Sequence, residues 1–418
     1  MNDWNWVSVI VVLGVFLLWK IELAATLLNI RAFPSRVPAP LAGLMSEEKL
    51  AQAKQYLQDN SKFHIVQDAF GIAVLLSFWA MDGFDMLDQY LRSFELPPIA
   101  TGILFLATLG LAQAVLGWGF SYFATFVIEE KYGFNRSTKK TFVIDQCKGL
   151  VLSAVIGLPL AAAVLWIFQN VPNAWLWAWI VVTLFQLLLT YLAPTWIMPL
   201  FNRFSPMPDG ELKKAINALG DQCGFPLENV LVMDGSKRST KANAFFTGFG
   251  KHKKIALYDT LMEKSSQAEL LAILAHEIGH FRCGHIRQRL CVGIVQTAVL
   301  FFLIGMIVNP QGAIARAVFD AFGVSQISAH VGLVLFMVLF EPIGKLLGIA
   351  SHAWSRKHEY EADAYAAKVT GNASALVEAL KKLSSDTLSH PSPASLRVWL
   401  DYSHPPLLYR LNSLEKAD

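Results

Sequence analysis

The chain has 418 residues, 54% of them hydrophobic and only 16% charged, with mean hydropathy +0.42 and a formal net charge of +3. Soluble domains carry about 25% charged residues, so this deficit excludes an ordinary soluble fold and points to an integral membrane protein. The small net charge, with no basic stripe carrying interleaved aromatics, argues against a nucleic-acid partner.

The first apolar run extends from Trp4 to about Thr26 and reads as a retained membrane helix, because a cleaved signal peptide would need a basic start and a small-residue cleavage site. Residues 27–65 are polar and contain an amphipathic helix from Ser46 to Gln58. Apolar runs follow at about 66–90, 99–123, 149–169 and 175–198, each near the roughly 20 residues a spanning helix needs. Asp82, Asp85 and Asp88 crowd the end of the second run, and they are placed outside the membrane on a solvated turn. Residues 200–265 are mixed, with a helix from about Glu211 to Cys223 and strands at Asn229–Met233 and Lys254–Tyr258 around the loop Gly235–Gly250. Two more apolar runs, about 287–308 and 329–351, precede a polar tail with helices near 353–369 and 372–384.

This pattern defines an α-helical membrane protein of about seven spans, divided as 1–199, 200–286, 287–351 and 352–418. Lys and Arg concentrate in 27–65, 124–148, 199–286 and 352–418, and are nearly absent from 91–98, 170–174 and 309–328. The alternation puts the N-terminus outside and the C-terminus in the cytoplasm. Cys147, Cys223, Cys283 and Cys291 lack C-x-x-C spacing and read as reduced apolar fillers. Glu341 and Lys345, four apart on the last span, read first as an ion pair facing the protein interior and second as lining a chamber.

The chemistry centres on His276-Glu277-Ile278-Gly279-His280. Ser266 and Glu269 form a capping box ahead of an apolar run, so a helix carries the motif. One turn then sets both imidazoles on one face, where they can hold one Zn²⁺ with Glu277 beside the attacking water. A third ligand is expected from the tail. Glu359 and Asp363 share a helical face; the arrangement resembles a gluzincin-type site, in which the third ligand is a Glu and an Asp one turn later accepts from a ligand histidine and fixes its tautomer, which makes Glu359 the expected ligand and Asp363 that acceptor. Glu361 points to another face; it and His358 read as solvated surface, and His352 is a further histidine able to bind metal. His404, stiffened by Pro405 and Pro406, and Arg410 can donate to the oxyanion of a tetrahedral intermediate, although alone the segment reads as an ordinary helix cap.

From about residue 129 to 411 the chain resembles the type I CAAX prenyl endopeptidases. The resemblance rests on Glu130 to Thr138, Met198 to Asn202, Gly235 to Ser239, Asn243 to Phe249, the His-Glu motif, Ser355 to Asp363, and Ser403 to Pro406. It implies seven membrane helices ringing a water-filled chamber, with a small β element and the zinc site at its cytoplasmic side. His276, His280 and Glu359 would bind zinc and Glu277 would be the base. Asn243, with Ala244 and Phe245, would lie along the substrate backbone, and His404 and Arg410 near the scissile carbonyl. Lys254 to Tyr258 would be the strand edge to which a peptide adds. Glu361 departs from the family, which often has an uncharged polar residue there.

The function expected is metal-dependent endopeptidase action on a peptide or protein substrate, prenylated if the resemblance extends that far. The setting is a bilayer, read as a bacterial inner membrane rather than the endoplasmic reticulum. The rivals are a general quality-control protease without prenyl substrates, a transporter or channel with a structural zinc, and an inactive scaffold.

Overall fold

The computed structural model describes residues 5–225, 229–247 and 254–416. Trp4, Gly248 and Phe249 of the Asn-Ala-Phe-Phe motif, Gly250, and Ala417 and Asp418 of the tail lie outside them.

Helix α1 (Trp6–Arg31) is followed by α2 (Glu47–Ala80), α3 (Gly83–Arg92), α4 (Pro98–Phe123), α5 (Lys139–Asn170) and α6 (Ala174–Leu192). A π-helical turn extends α4 to Glu129, and another links α6 to α7 (Met198–Phe201). The region between the membrane segments contributes β1 (Phe204–Pro206), α8 (Glu211–Gln222), β2 (Asn229–Met233), β3 (Ala244–Thr247), β4 (Lys254–Tyr258) and α9 (Asp259–Lys264). Then come α10 (Gln267–Arg282), α11 (His285–Val308), α12 (Ala313–Ala321), α13 (Ala329–Thr370), α14 (Ala373–Asp386), α15 (Ser395–Asp401) and α16 (Leu407–Glu415).

Seven of these helices are long and apolar enough to cross a membrane: α1, α2, α4 and α5, then α6 with its extension, α11 and α13. Their outward faces carry exposed Val9, Leu13 and Leu17 on α1, Val151 and Val155 on α5, and Val295, Val299 and Phe302 on α11. In water such faces would be costly; in a bilayer they meet hydrocarbon. Two helices each join an apolar span to a polar segment. The amphipathic Ser46–Gln58 segment runs without a break into the second span, and the last span runs on through the tail to Thr370. No helix breaker separates the apolar and polar parts of either. The second run also stops at Ala80, before a separate α3.

The acids after that run are not all solvated. Asp88 is fully buried, 2.8 Å from Arg92 Nε and 2.7 Å from His330 Nε2. Asp85 accepts from Ser325. Lys345 does not pair with Glu341; it meets Glu22 and Asp401, and Arg397 joins both carboxylates. This quartet of charges ties α1, α13 and α15 together beside a cavity of about 730 Å³, which Glu341 also lines. Cys147 and Cys291 are exposed rather than packed as fillers.

The strand order is β1-β2-β4-β3, with β2 and β4 parallel and the other pairs antiparallel. Strand β4, expected at the edge, is therefore interior. The edge nearest the motif helix is β3, where Ala244 faces Leu257 in register and Phe245 faces Ala256. Helix α10 starts at the expected capping box: Ser266 Oγ accepts from Glu269 N–H, and Glu269 accepts from Ser266 N–H. Its inner face, Leu270, Leu274 and Ile278, packs with Ile255, Leu257, Leu261 and Leu376.

Gly279 sets how closely α10 and α13 approach. A Cβ there would lie 3.1 Å from Ala362 Cα and 3.2 Å from its carbonyl oxygen. Backbone cannot yield as a side chain can, so Gly279→Val is expected to cost about 1–3 kcal/mol through overpacking and to weaken metal binding by separating the two helices. Gly293→Ala, with nothing within 4 Å of its added Cβ, should leave both unchanged. Thermal unfolding and chelator competition check this.

Candidate active site

Five segments converge on one point. Helix α10 supplies His276, Glu277 and His280, and α13 supplies Glu359 and Asp363. The Ser403–Pro406 turn and α16 supply His404 and Arg410, and the start of β3 supplies Asn243 and Ala244. His276 Nε2 lies 3.5 Å from Glu359 Oε2, and His280 Nε2 lies 3.3 Å from Glu359 Oε1. One donor atom from each of His276, His280 and Glu359 falls within 4.8 Å of the others. Glu359 is 2% exposed, and its Oε2 has no hydrogen-bond partner. A buried carboxylate oxygen without a donor is costly. Two imidazole nitrogens and that oxygen are a donor set that fits a metal ion, zinc in particular, and leaves a coordination position open.

The charges around the cluster also favour a cation. His276 Nδ1 is 2.8 Å from Asp363 Oδ1. Burial alone would push the His276 pKa down, but Asp363 and Glu359 outweigh it and hold it at about 9. Burial raises the Glu277 carboxyl above the usual range, which suits a group that must accept and return a proton. Glu277 and Asn243 share a cleft of about 130 Å³ with His276, Glu359, His404 and Arg410.

Arg410 is 8% exposed and forks onto Asp363 at 2.8 and 2.6 Å, with Nη1 3.5 Å from Glu359 Oε2. Its first partner is therefore Asp363, which it holds against His276. His404 stands at the mouth of the cleft, its side chain 64% exposed, with Nε2 3.4 Å from Glu359 Oε1. Asn243 caps the start of β3, its Oδ1 accepting from Ala244 N–H at 2.9 Å. Phe245 lies on β3 but not among the residues lining the cleft.

Other motif residues brace this arrangement. Arg238 forks onto Asp145 at 2.8 and 3.0 Å and donates to Phe201 O. Asn135 bridges to Ser239, and Asp234 accepts from Arg203 N–H and Asn202. They latch the Gly235–Ser239 loop onto the membrane helices just before the edge strand. His352 lies off the cluster, 2.9 Å from Leu400 O. His358 is 2% exposed, not solvated, and Glu361 lies 2.9 Å from His285. Sequence reasoning missed His285. It stands five residues after His280, off the motif's face in a continuous helix, but Gly284 (φ +77°) breaks the helix and turns it back.

A zinc-type donor set at the end of a seven-helix membrane assembly, with the buried Glu277 carboxyl and the edge strand β3 beside it, defines a membrane-embedded metalloendopeptidase. Comparison with known proteins agrees. Residues 27–203 match the family described as CAAX prenyl protease N-terminal, five membrane helices, and residues 206–418 match peptidase family M48. The chain is 35% identical to CAAX prenyl protease 1 of Saccharomyces cerevisiae over 404 residues, covering 91% of this chain and 89% of that protein. It is 35% identical to the CAAX prenyl protease 1 homolog of Oryza sativa subsp. japonica, covering 91% of each. It is 31% identical to the Homo sapiens homolog, covering 95% and 92%. The crystal structure of S. mikatae Ste24p superposes with a TM-score of 0.91 at 31% identity, covering 98% of this chain and 99% of that one. The chain belongs to peptidase family M48, as a multi-pass membrane metalloprotease of the CAAX prenyl protease type.

The geometry makes Asp363 the hinge between His276 and Arg410. Asp363→Asn keeps the shape but loses charge on both contacts, and should weaken metal binding about 10–100-fold. Arg410→Lys cannot reproduce the fork and should weaken it in the same direction. Chelator competition on the purified protein measures both.

Proposed function

We propose that this protein is a zinc endopeptidase that cuts near the C-terminus of prenylated protein substrates, with His276, His280 and Glu359 holding the ion. The observation that carries the reading is the cleft that places Glu277 beside those three ligands and next to the edge strand β3. When bound, zinc would lower the pKa of the attacking water and polarise the scissile carbonyl.

The chain's own groups supply the rest. Substrate backbone adds to β3, which recognises main chain more than side chains and so tolerates varied sequences. Asn243, Ala244 and Phe245 lie along that line. Glu277 takes the water's proton and returns it to the leaving amine. Asp363 holds the His276 ring. His404, exposed at the cleft mouth, donates to the developing oxyanion, and Arg410 adds its positive charge from behind. Prenyl specificity is supported by the similarity to CAAX prenyl proteases and by the cavities between the membrane helices. One of these, about 1010 Å³ between α6, α11 and α13, is lined by Leu187, Leu300 and Leu347. We assign residues 1–199 and 287–351 to the membrane ring, and 200–286 and 352–418 to the protease part. The setting proposed is a bilayer, with the site facing the cytoplasm, since Lys and Arg concentrate in the connections at the α10 end.

The test is cleavage of a farnesylated C-terminal peptide by purified protein. Zinc-loaded enzyme should cleave, and a chelator should stop it. Glu277→Gln should retain zinc while losing about 10²–10⁴-fold in turnover, and His276→Ala should lose both. Near-normal turnover by Glu277→Gln would remove the base assignment. Cleavage of unprenylated peptides at an equal rate would remove the prenyl specificity.

A further inference from the structure

The two ligand histidines are held differently on their far sides. His276 Nδ1 meets a carboxylate directly, at Asp363. His280 Nδ1 instead meets another imidazole, His285 Nδ1, at 3.0 Å. His285 Nε2 in turn lies 2.9 Å from Glu361 Oε2. His285 is 1% exposed and stacked on His358, ring centroids 3.9 Å apart and planes 8° off parallel. His358 Nε2 lies 3.2 Å from Gln288 Oε1. The His285 ring is thus fixed by packing as well as by its two polar contacts.

This chain of contacts admits one arrangement of protons if His280 binds metal. A ligand nitrogen must be bare, so His280 Nε2 carries no proton and Nδ1–H is a donor. His285 Nδ1 must then accept, which places the His285 proton on Nε2. Nε2–H donates to Glu361, and a carboxylate can only accept. Glu361 therefore sets the direction of the whole chain. We infer that His285 and Glu361 are positioning residues for the metal site, a Glu361–His285–His280 relay that holds His280 in the metal-binding tautomer. This deepens the reading of His276, His280 and Glu359 as a zinc site and rests on it. The relay spans α13, the first residue of α11 and α10, so it also braces the turn at Gly284.

The test measures Zn²⁺ affinity by chelator competition on full-length protein, alongside metal-free melting and farnesyl-peptide turnover. Glu361 has a side chain 42% exposed, so its variants should fold. Glu361→Leu removes the acceptor and should weaken Zn²⁺ binding about 10-fold, and His285→Phe, which keeps the stacked ring, about 10–100-fold. Glu361→Lys, a donor where an acceptor is required, should be at least as damaging as Leu, while Glu361→Gln, which can still accept, should bind Zn²⁺ more tightly than either. The double variant His285→Phe/Glu361→Leu should bind no more weakly than His285→Phe alone, because the two residues act in series. Metal-free melting of the Glu361 variants should match wild type. Wild-type affinity in Glu361→Leu and Glu361→Lys, or additive losses in the double variant, would overturn the relay while leaving the zinc site intact. Failure of wild type to retain Zn²⁺ would instead overturn the zinc reading, and the relay with it.

Discussion

The structure depends on one buried carboxylate. Glu359 sits almost out of water, between two imidazoles, with one oxygen lacking a hydrogen-bond donor. Alone, such a group would destabilise the fold by several kcal/mol. It is tolerable because His276, His280, His404 and Arg410 surround it within 3.5 Å, a setting that also suits a cation. The close approach of α10 and α13 at Gly279 makes that possible, and among the described residues it is also the most extensive helix pairing. The packing of small residues and the placement of charge are therefore one constraint.

Around that centre the charges form layers. Asp363 is shared by His276 and Arg410, so the segment carrying His404 and α16 is anchored to the metal site through its arginine. At the membrane end the preceding helix α15 is anchored as well, since its Asp401 joins the quartet with Glu22, Lys345 and Arg397. Ionisable groups beside an apolar ring are costly unless paired; Arg397 and Asp401 pair within α15, and the other pairings of the quartet cross between elements distant in sequence. His404 is thus positioned by ion pairs on both sides while remaining exposed to the cleft.

The seven helices were legible because a spanning segment needs a long apolar run and little else. Strands β2 and β4 were legible from their short apolar runs, and the start of α10 from its capping box. The order of strands was not legible. Local pattern is the same for an edge strand and an interior one, and it is β3 rather than β4 that lies at the edge of the sheet. The partners of Lys345 and Asp88 were hidden for a similar reason. Spacing along one helix suggested Glu341 and a solvated turn, whereas the partners in the structure include residues up to several hundred positions away.

By itself the sequence determined the membrane class, the number of spans, and a candidate ligand set, because hydrophobic length and helical periodicity are local properties. His276 and His280 share a face wherever that helix sits. Tertiary structure alone decided that Glu359 reaches them, that Arg410 grips Asp363, and that His285 turns back to meet His280 and Glu361. Those contacts depend on crossing angles, a glycine's missing Cβ and the break at Gly284, where the chain enters a conformation that redirects α11. Distances across such crossings are fixed by packing between elements, which no local pattern in the chain records.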